Sequence, residues 1–220
     1  MNAGSPPTRI LLADDHQLLR QGLRSLLDAQ EDFTVVGEAG DGREAVKLAI
    51  ELASDVVMID VSMPDLNGIE ATRQITAALP KTRVLVVSMH TGRQTVVETL
   101  RAGASGYLAK VSSFDEVERA LRTVIAGNRY LSPGVAGSVV DELVSPGERS
   151  AAYASLTPRE REVLQLLAEG QSSKEVGAAL FISARTVDVH RKNLMDKLGL
   201  RSAAQLTLYA VRAGLISLDE

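Results

Sequence analysis

Residues 56–68 read Val-Val-Met-Ile-Asp-Val-Ser-Met-Pro-Asp-Leu-Asn-Gly, and the first five decide the fold. Val56–Ile59 is a short unbroken apolar run, the pattern of a strand covered on both faces; a strand with one wet face alternates instead. The run stops at Asp60, which puts a carboxylate at the end of a core strand. Similar runs occupy Ile10–Ala13, Thr34–Gly37, Val84–Val87 and Tyr107–Leu108. Between them the apolar residues fall at helical spacing, as in Leu18, Leu19, Leu23, Leu26 and Leu27, or Val96, Val97 and Leu100. Five strand–helix alternations in about 120 residues predict an α/β domain, a five-stranded parallel sheet with helices on both faces.

The alternation ends near Gly127, which sets a first domain over residues 1–127. Residues 128–154 are Gly-, Pro- and Ser-rich with one weakly amphipathic piece at Val135–Val144, and read as a linker. From 155 to 220 every signal is helical. Thr157-Pro158-Arg159-Glu160, Ser172-Ser173-Lys174-Glu175 and Ser202-Ala203-Ala204-Gln205 each match a capping box. Gly170, Gly199 and Gly214 stand where helices stop. The second domain is therefore an all-α unit of four short helices.

Composition narrows the chemistry. The chain has 220 residues, 45% of them hydrophobic and 24% charged, enough for two cores. There is no cysteine, which excludes disulfides, thiolate metal sites and a cysteine nucleophile. Aromatics are only 3%, without tryptophan, which argues against stacking-based binding of single strands. Met1–Thr8 is polar, and no run nears ~18 apolar residues, so the expectation is a cytoplasmic protein without membrane contact. The net charge is −4, yet Ser183–Arg201 sets Arg185, Arg191, Lys192, Lys197 and Arg201 against Asp188 and Asp196, a modest footprint for a polyanion.

Ligands of parallel α/β sheets bind at the carboxyl ends of the strands. There this sequence places Asp14 and Asp15 after strand 1, Asp60 after strand 3, Ser88 ending strand 4 and Lys110 after strand 5. Converging carboxylates repel unless a hard cation sits among them, and Mg²⁺ takes such oxygens while keeping sites for phosphate. A lysine and a hydroxyl nearby suit in-line phosphoryl transfer onto a carboxylate. Without a Cys/His cluster, zinc is not supported.

At these residues the sequence resembles the receiver domain of bacterial two-component response regulators. Leu11–His16 (LLADDH), Met58–Gly68 and Gly103–Lys110 (GASGYLAK) carry the likeness over roughly residues 8–127. It implies a flavodoxin-like doubly wound fold and Asp60 as phosphoacceptor, served by a sensor histidine kinase. It implies Mg²⁺ held by Asp14, Asp15, Asp60 and the Ser62 carbonyl, phosphoryl oxygens held by Ser88 and Lys110, and Tyr107 as an aromatic that turns inward when Ser88 moves. Many receivers have proline after the lysine; here Val111 follows. Haloacid-dehalogenase-type phosphatases use similar groups, but their Asp-x-Asp supplies an acid where this chain has Ser62, and their nucleophile follows the first strand. An enzyme acting on other substrates is therefore disfavoured: the receiver should catalyse only its own phosphorylation and dephosphorylation.

LTPREREVLQLLAEG and SSKEVGAALFISARTVDVHRKNLMDKLGL, within residues 155–218, resemble the LuxR-type helix-turn-helix. Together the two halves are similar to a NarL/FixJ-type regulator. The likeness makes Lys174–Leu180 the scaffold helix, Phe181–Ser183 the turn and Ala184–Leu198 the recognition helix, with Ser202–Ala213 as a pairing helix. On a helical wheel Val187, Leu194 and Leu198 share one face, while Arg185, Val189, Lys192 and Asp196 lie opposite. An exposed valine between basic residues suits a thymine methyl, with Arg185 and Lys192 reaching base edges or phosphates. Asp188 can accept from cytosine or orient a neighbouring base reader; Lys174, Thr186, Arg191 and Arg201 suit phosphates. The expected partners are double-stranded promoter DNA, a second copy of the chain on it, and RNA polymerase. The alternative is a regulator that works without phosphorylation or by protein contact.

Overall fold

The computed structural model describes residues 6–144 and 152–216. Residues 145–151 of the expected linker, and the ends 1–5 and 217–220, lie outside the described residues. The chain order is β1 (Thr8–Ala13), α1 (Gln17–Asp28), β2 (Phe33–Ala39), α2 (Gly42–Leu52), β3 (Val56–Ile59), α3 (Gly68–Ala78), β4 (Arg83–Ser88), α4 (Arg93–Arg101), β5 (Gly106–Ala109), α5 (Phe114–Ile125), β6 (Tyr130–Leu131) and α6 (Pro133–Val144). Four further helices follow: α7 (Pro158–Ala168), α8 (Ser173–Ala179), α9 (Ala184–Leu198) and α10 (Ala203–Arg212).

All strand pairs are parallel, in the order β2-β1-β3-β4-β5-β6. The sheet therefore has six strands, where the sequence reading counts five. The addition is two residues long, with Gly106 opposite Tyr130 and Tyr107 opposite Leu131. So short an edge strand, just past a glycine, leaves no periodic trace.

The unbroken apolar strands are explained by the two faces they fill. Ile10, Leu12, Val56, Met58, Leu85 and Val87 face one core with Leu121 and Val124 of α5. Their alternates Leu11, Ala13, Val57, Ile59, Val84 and Val86 face another core, with Ala45, Ile69, Ile75 and Val96 from α2, α3 and α4. That second core continues through Val135, Tyr153 and Leu156 into Val163, Leu164 and Leu166 of α7 and on to Val187 and Leu194 of α9. Helix α6 packs on α4 and buries Val135 completely. The amphipathic piece of the expected linker is thus a packed helix of the receiver side.

Candidate functional site

Asp60 leaves the sheet at the end of β3, and its N–H donates to the Ala13 carbonyl of β1 at 2.8 Å. Its side chain is 4% exposed and its Oδ1 accepts from the Val61 N–H at 2.7 Å. The loop behind it is drawn tight. Asn67 caps α3 by accepting from the Glu70 N–H at 3.0 Å. Gly68 passes so close that a Cβ there would lie 1.8 Å from the Asp60 carbonyl oxygen, a gap no side chain tolerates.

Lys110 spans the pocket. Its Nζ lies 2.7 Å from Asp60 Oδ2 and 2.8 Å from Asp14 Oδ2. Asp14 is buried beside Asp60, while Asp15 is exposed and 2.7 Å from His16 Nδ1. Two buried carboxylates share one ammonium. Burial, opposed by Lys110 and reinforced by Asp14, holds the Asp60 carboxyl above its usual range. Burial works against the Lys110 ammonium, but Asp60 and Asp14 outweigh it and its pKa is raised.

Ser88 is fully buried at the same sheet edge; its Oγ accepts from the His90 N–H at 3.1 Å and its carbonyl from the Lys110 N–H at 2.9 Å. Tyr107 lies fully inside, its hydroxyl donating to the His90 carbonyl, and burial pushes its pKa up. Ligand atoms of Asp14, Asp15, His16 and Asp60 all fall within 4.8 Å of one another. Three of the four are carboxylates, a donor set that fits a hard divalent cation such as Mg²⁺. The Ser62 hydroxyl, by contrast, donates outward to the Gly214 carbonyl of the helical domain at 3.3 Å.

In the helical domain two of the three expected capping boxes form, at Thr157/Glu160 and Ser172/Glu175. At the third, Ser202 caps α10 by accepting from the Gln205 N–H at 3.2 Å, but the Gln205 side chain accepts from Arg201 N–H at 2.7 Å instead of closing the box. Val187 and Leu194 of α9 are fully buried. Lys174, Arg185, Thr186, Asp188, Lys192 and Arg201 are exposed, Arg191 is half-buried and Val189 is 53% exposed. Asp188 accepts from the Ser173 hydroxyl at 2.7 Å, which ties α9 to α8. The Thr186 and Ser183 hydroxyls lie 2.8 Å apart at the start of α9.

A seam between the domains has no counterpart in the sequence reading. Gln165 of α7 is fully buried; its Oε1 accepts from the Asn67 N–H at 2.7 Å and Nδ2 at 2.9 Å, and its Nε2 donates to the Met63 carbonyl at 2.9 Å. Arg161 pairs with buried Glu70 at 3.5 Å and stacks on the buried Tyr153 ring at 5.4 Å. Thr95 of α4 donates to the Ala213 carbonyl at 2.9 Å, and Gln94 to the Tyr209 hydroxyl at 3.1 Å. The one available signal was a polar residue set among Val163, Leu164 and Leu166. These contacts engage α7 and the end of α10 and leave the outward face of α9 open.

Comparison with known proteins matches both halves. The family described as response regulator receiver domain covers residues 10–122, and that described as bacterial regulatory proteins, luxR family, covers residues 154–210. The transcriptional regulatory protein LiaR of Bacillus subtilis is 41% identical over 95% of this chain and 99% of its own. The response regulator UvrY of Escherichia coli is 35% identical over 96% of each. A structure of RcsB from Salmonella enterica serovar Typhimurium, bound to promoter P1flhDC with the phosphomimetic BeF₃⁻, aligns with a TM-score of 0.65 and 26% identity, covering 92% of this chain and 97% of that one. The chain belongs to the two-component response regulators that join a receiver to a LuxR-type helix-turn-helix, and it is a phosphorylation-dependent DNA-binding regulator.

Proposed function

We propose that Asp60 is the phosphoacceptor and that a sensor histidine kinase is the donor. The observation that carries this reading is Lys110 bridging the Asp60 and Asp14 carboxylates at the carboxyl edge of the sheet. One Asp60 oxygen attacks phosphorus in line; the new P–O bond forms as the P–N bond of phosphohistidine breaks, and the imidazole leaves with the bond pair. Lys110 then moves from pairing with carboxylates to gripping a phosphoryl oxygen, and the Ser88 hydroxyl donates to a second. Asp14, Asp15, Asp60 and the Ser62 carbonyl would hold Mg²⁺. When bound, that ion neutralises the carboxylates and the charge spreading over the phosphoryl oxygens. The same residues serve the loss of the phosphoryl group to water, so the receiver catalyses its own phosphorylation and dephosphorylation. Tyr107 follows Ser88 as it turns toward the phosphoryl group.

The helical domain reads promoter DNA as one half of a homodimer in the cytoplasm, where RNA polymerase is the further partner. Arg185, Val189 and Lys192 face the groove floor. Lys174, Thr186, Arg191 and Arg201 meet phosphates, and Asp188 braces the helix through Ser173. The domains are taken as receiver 1–127, connecting segment 128–154, whose first part, β6 and α6, packs on the receiver, and DNA-binding domain 155–220. Labelling with acetyl phosphate tests the phosphoacceptor: wild type should take up label in a form labile to alkali and hydroxylamine, and Asp60→Asn should not. Undiminished labelling of Asp60→Asn would overturn the assignment.

A further inference from the structure

Phe181 stands in the turn between α8 and α9 with φ +54, one of three non-glycine residues at positive φ among the described residues. Any side chain with a Cβ is disfavoured in that left-handed region, and an aromatic gains nothing there to offset it. The turn itself demands the conformation. The Ile182 N–H closes back onto the Gly177 carbonyl at 2.9 Å, and a Cβ on Gly177 would sit 2.8 Å from the Ile182 carbonyl. Position 181 is therefore where glycine or asparagine ordinarily ends a helix. Leu180 and Ile182 on either side turn inward and hold the turn. Phe181 does not: at 95% it is the most exposed large apolar side chain among the described residues. The fold neither needs this ring nor shelters it.

What lies around it says what does. Two residues on, Ser183 caps α9, and exposed Arg185, Thr186 and Val189 follow. A recognition helix enters the major groove by its N-terminal end, so the turn ahead of it arrives at the groove wall. That wall presents deoxyribose carbons between phosphates, an apolar strip suited to an aromatic ring. We propose that Phe181 is a DNA contact, its ring packing on the deoxyribose wall where α9 enters. The proposal rests on α9 being the recognition helix.

The test uses the full-length phosphorylated protein and a duplex it selects from a random-sequence library. Phe181→Asn tolerates positive φ, so its melting temperature should equal or exceed that of wild type. Its affinity for the duplex should fall by about five- to thirty-fold, the effect of leaving part of a phenyl ring wet. The slope of log affinity against log salt should not change, since no phosphate is neutralised. Phe181→Leu, still apolar, should recover part of the loss. Wild-type affinity in Phe181→Asn overturns the proposal, and so does a loss that tracks a falling melting temperature or a shallower salt slope. A loss confined to one base pair and absent when its thymine is replaced by uracil overturns the sugar contact. Lys192→Ala is the control: if it weakens binding while Phe181→Asn does not, only Phe181 was misread. If neither matters, the reading of α9 fails.

Discussion

At Asp60 the strand β3 ends in a carboxylate that two neighbours pull in opposite directions: Lys110 favours its charge, burial and Asp14 oppose it. The opposing side wins, so the folded protein holds the Asp60 proton more tightly than the unfolded chain does. Stability linked to that proton is complete below the unfolded pKa and is lost as pH rises through the folded one. At neutral pH without divalent cations, Asp60→Asn should therefore melt above wild type. The gap should close as the pH is lowered into the carboxylate range, and Mg²⁺ should raise the melting temperature of wild type more than that of the variant. A gap that widens in acid would contradict this account. Eight residues on, Gly68 gives the complementary case. A methyl group there meets the Asp60 carbonyl, so Gly68→Ala should cost about 1–3 kcal/mol by denaturant unfolding and slow acetyl phosphate labelling with it.

Helix ends and helix faces carry the next level. The closed box at Thr157/Glu160 joins a Lys197–Glu160 contact of 2.7 Å that ties the start of α7 to the end of α9. Thr157→Ala should lower stability by about 1 kcal/mol, whereas Gln205→Ala, at the box that does not close, should lower it by less. On α9, Lys192→Ala should cost about 1–3 kcal/mol at one preferred base pair if its ammonium reads an edge; an equal loss on every duplex makes it a phosphate contact. Much at this scale was legible beforehand. Val56–Ile59 and Val84–Val87 declared doubly covered strands because nothing polar interrupts them, and the wheel of α9 separated Val187 and Leu194 from Arg185 and Lys192 correctly. The residues of the acidic pocket came from order along the chain, since each follows a strand that the sheet brings to one edge. Strand β6 escaped because two residues show no period. The Ser173–Asp188 hydrogen bond lay beyond the wheel, which shows the direction of a side chain and not a hydroxyl one helix away.

The two domains meet where the receiver core runs on into α7 and through polar groups withdrawn from water; the polar part was invisible in sequence, because a glutamine among leucines looks like a solvent-facing interruption. Once docked, Gln165 answers the Met63 carbonyl and the Asn67 N–H on the loop that carries Ser62, and Thr95 answers the Ala213 carbonyl at the end of α10. Buried groups of this kind stabilise little in net terms but are expensive to orphan, about 1–3 kcal/mol each. The docked arrangement is thus specific, and a charge added at Asp60 shifts it only by acting differently on the docked and undocked states. It leaves α9 open and commits the end of α10, so docking should hinder pairing of two DNA-binding domains rather than first contact with DNA. Unphosphorylated full-length protein should then bind a single half-site about as well as the phosphorylated form. On a two-half-site duplex it should lack most of the gain that a second linked domain supplies. Gln165→Ala, which orphans the Met63 carbonyl and the Asn67 N–H, should release the domain. Its unphosphorylated form should gain about five- to fifty-fold on the two-half-site duplex and little on the half-site. Binding titrations on both duplexes decide the matter. If phosphorylation or Gln165→Ala strengthens half-site binding as much as two-half-site binding, the receiver acts on the recognition surface itself and the role given to α10 is wrong.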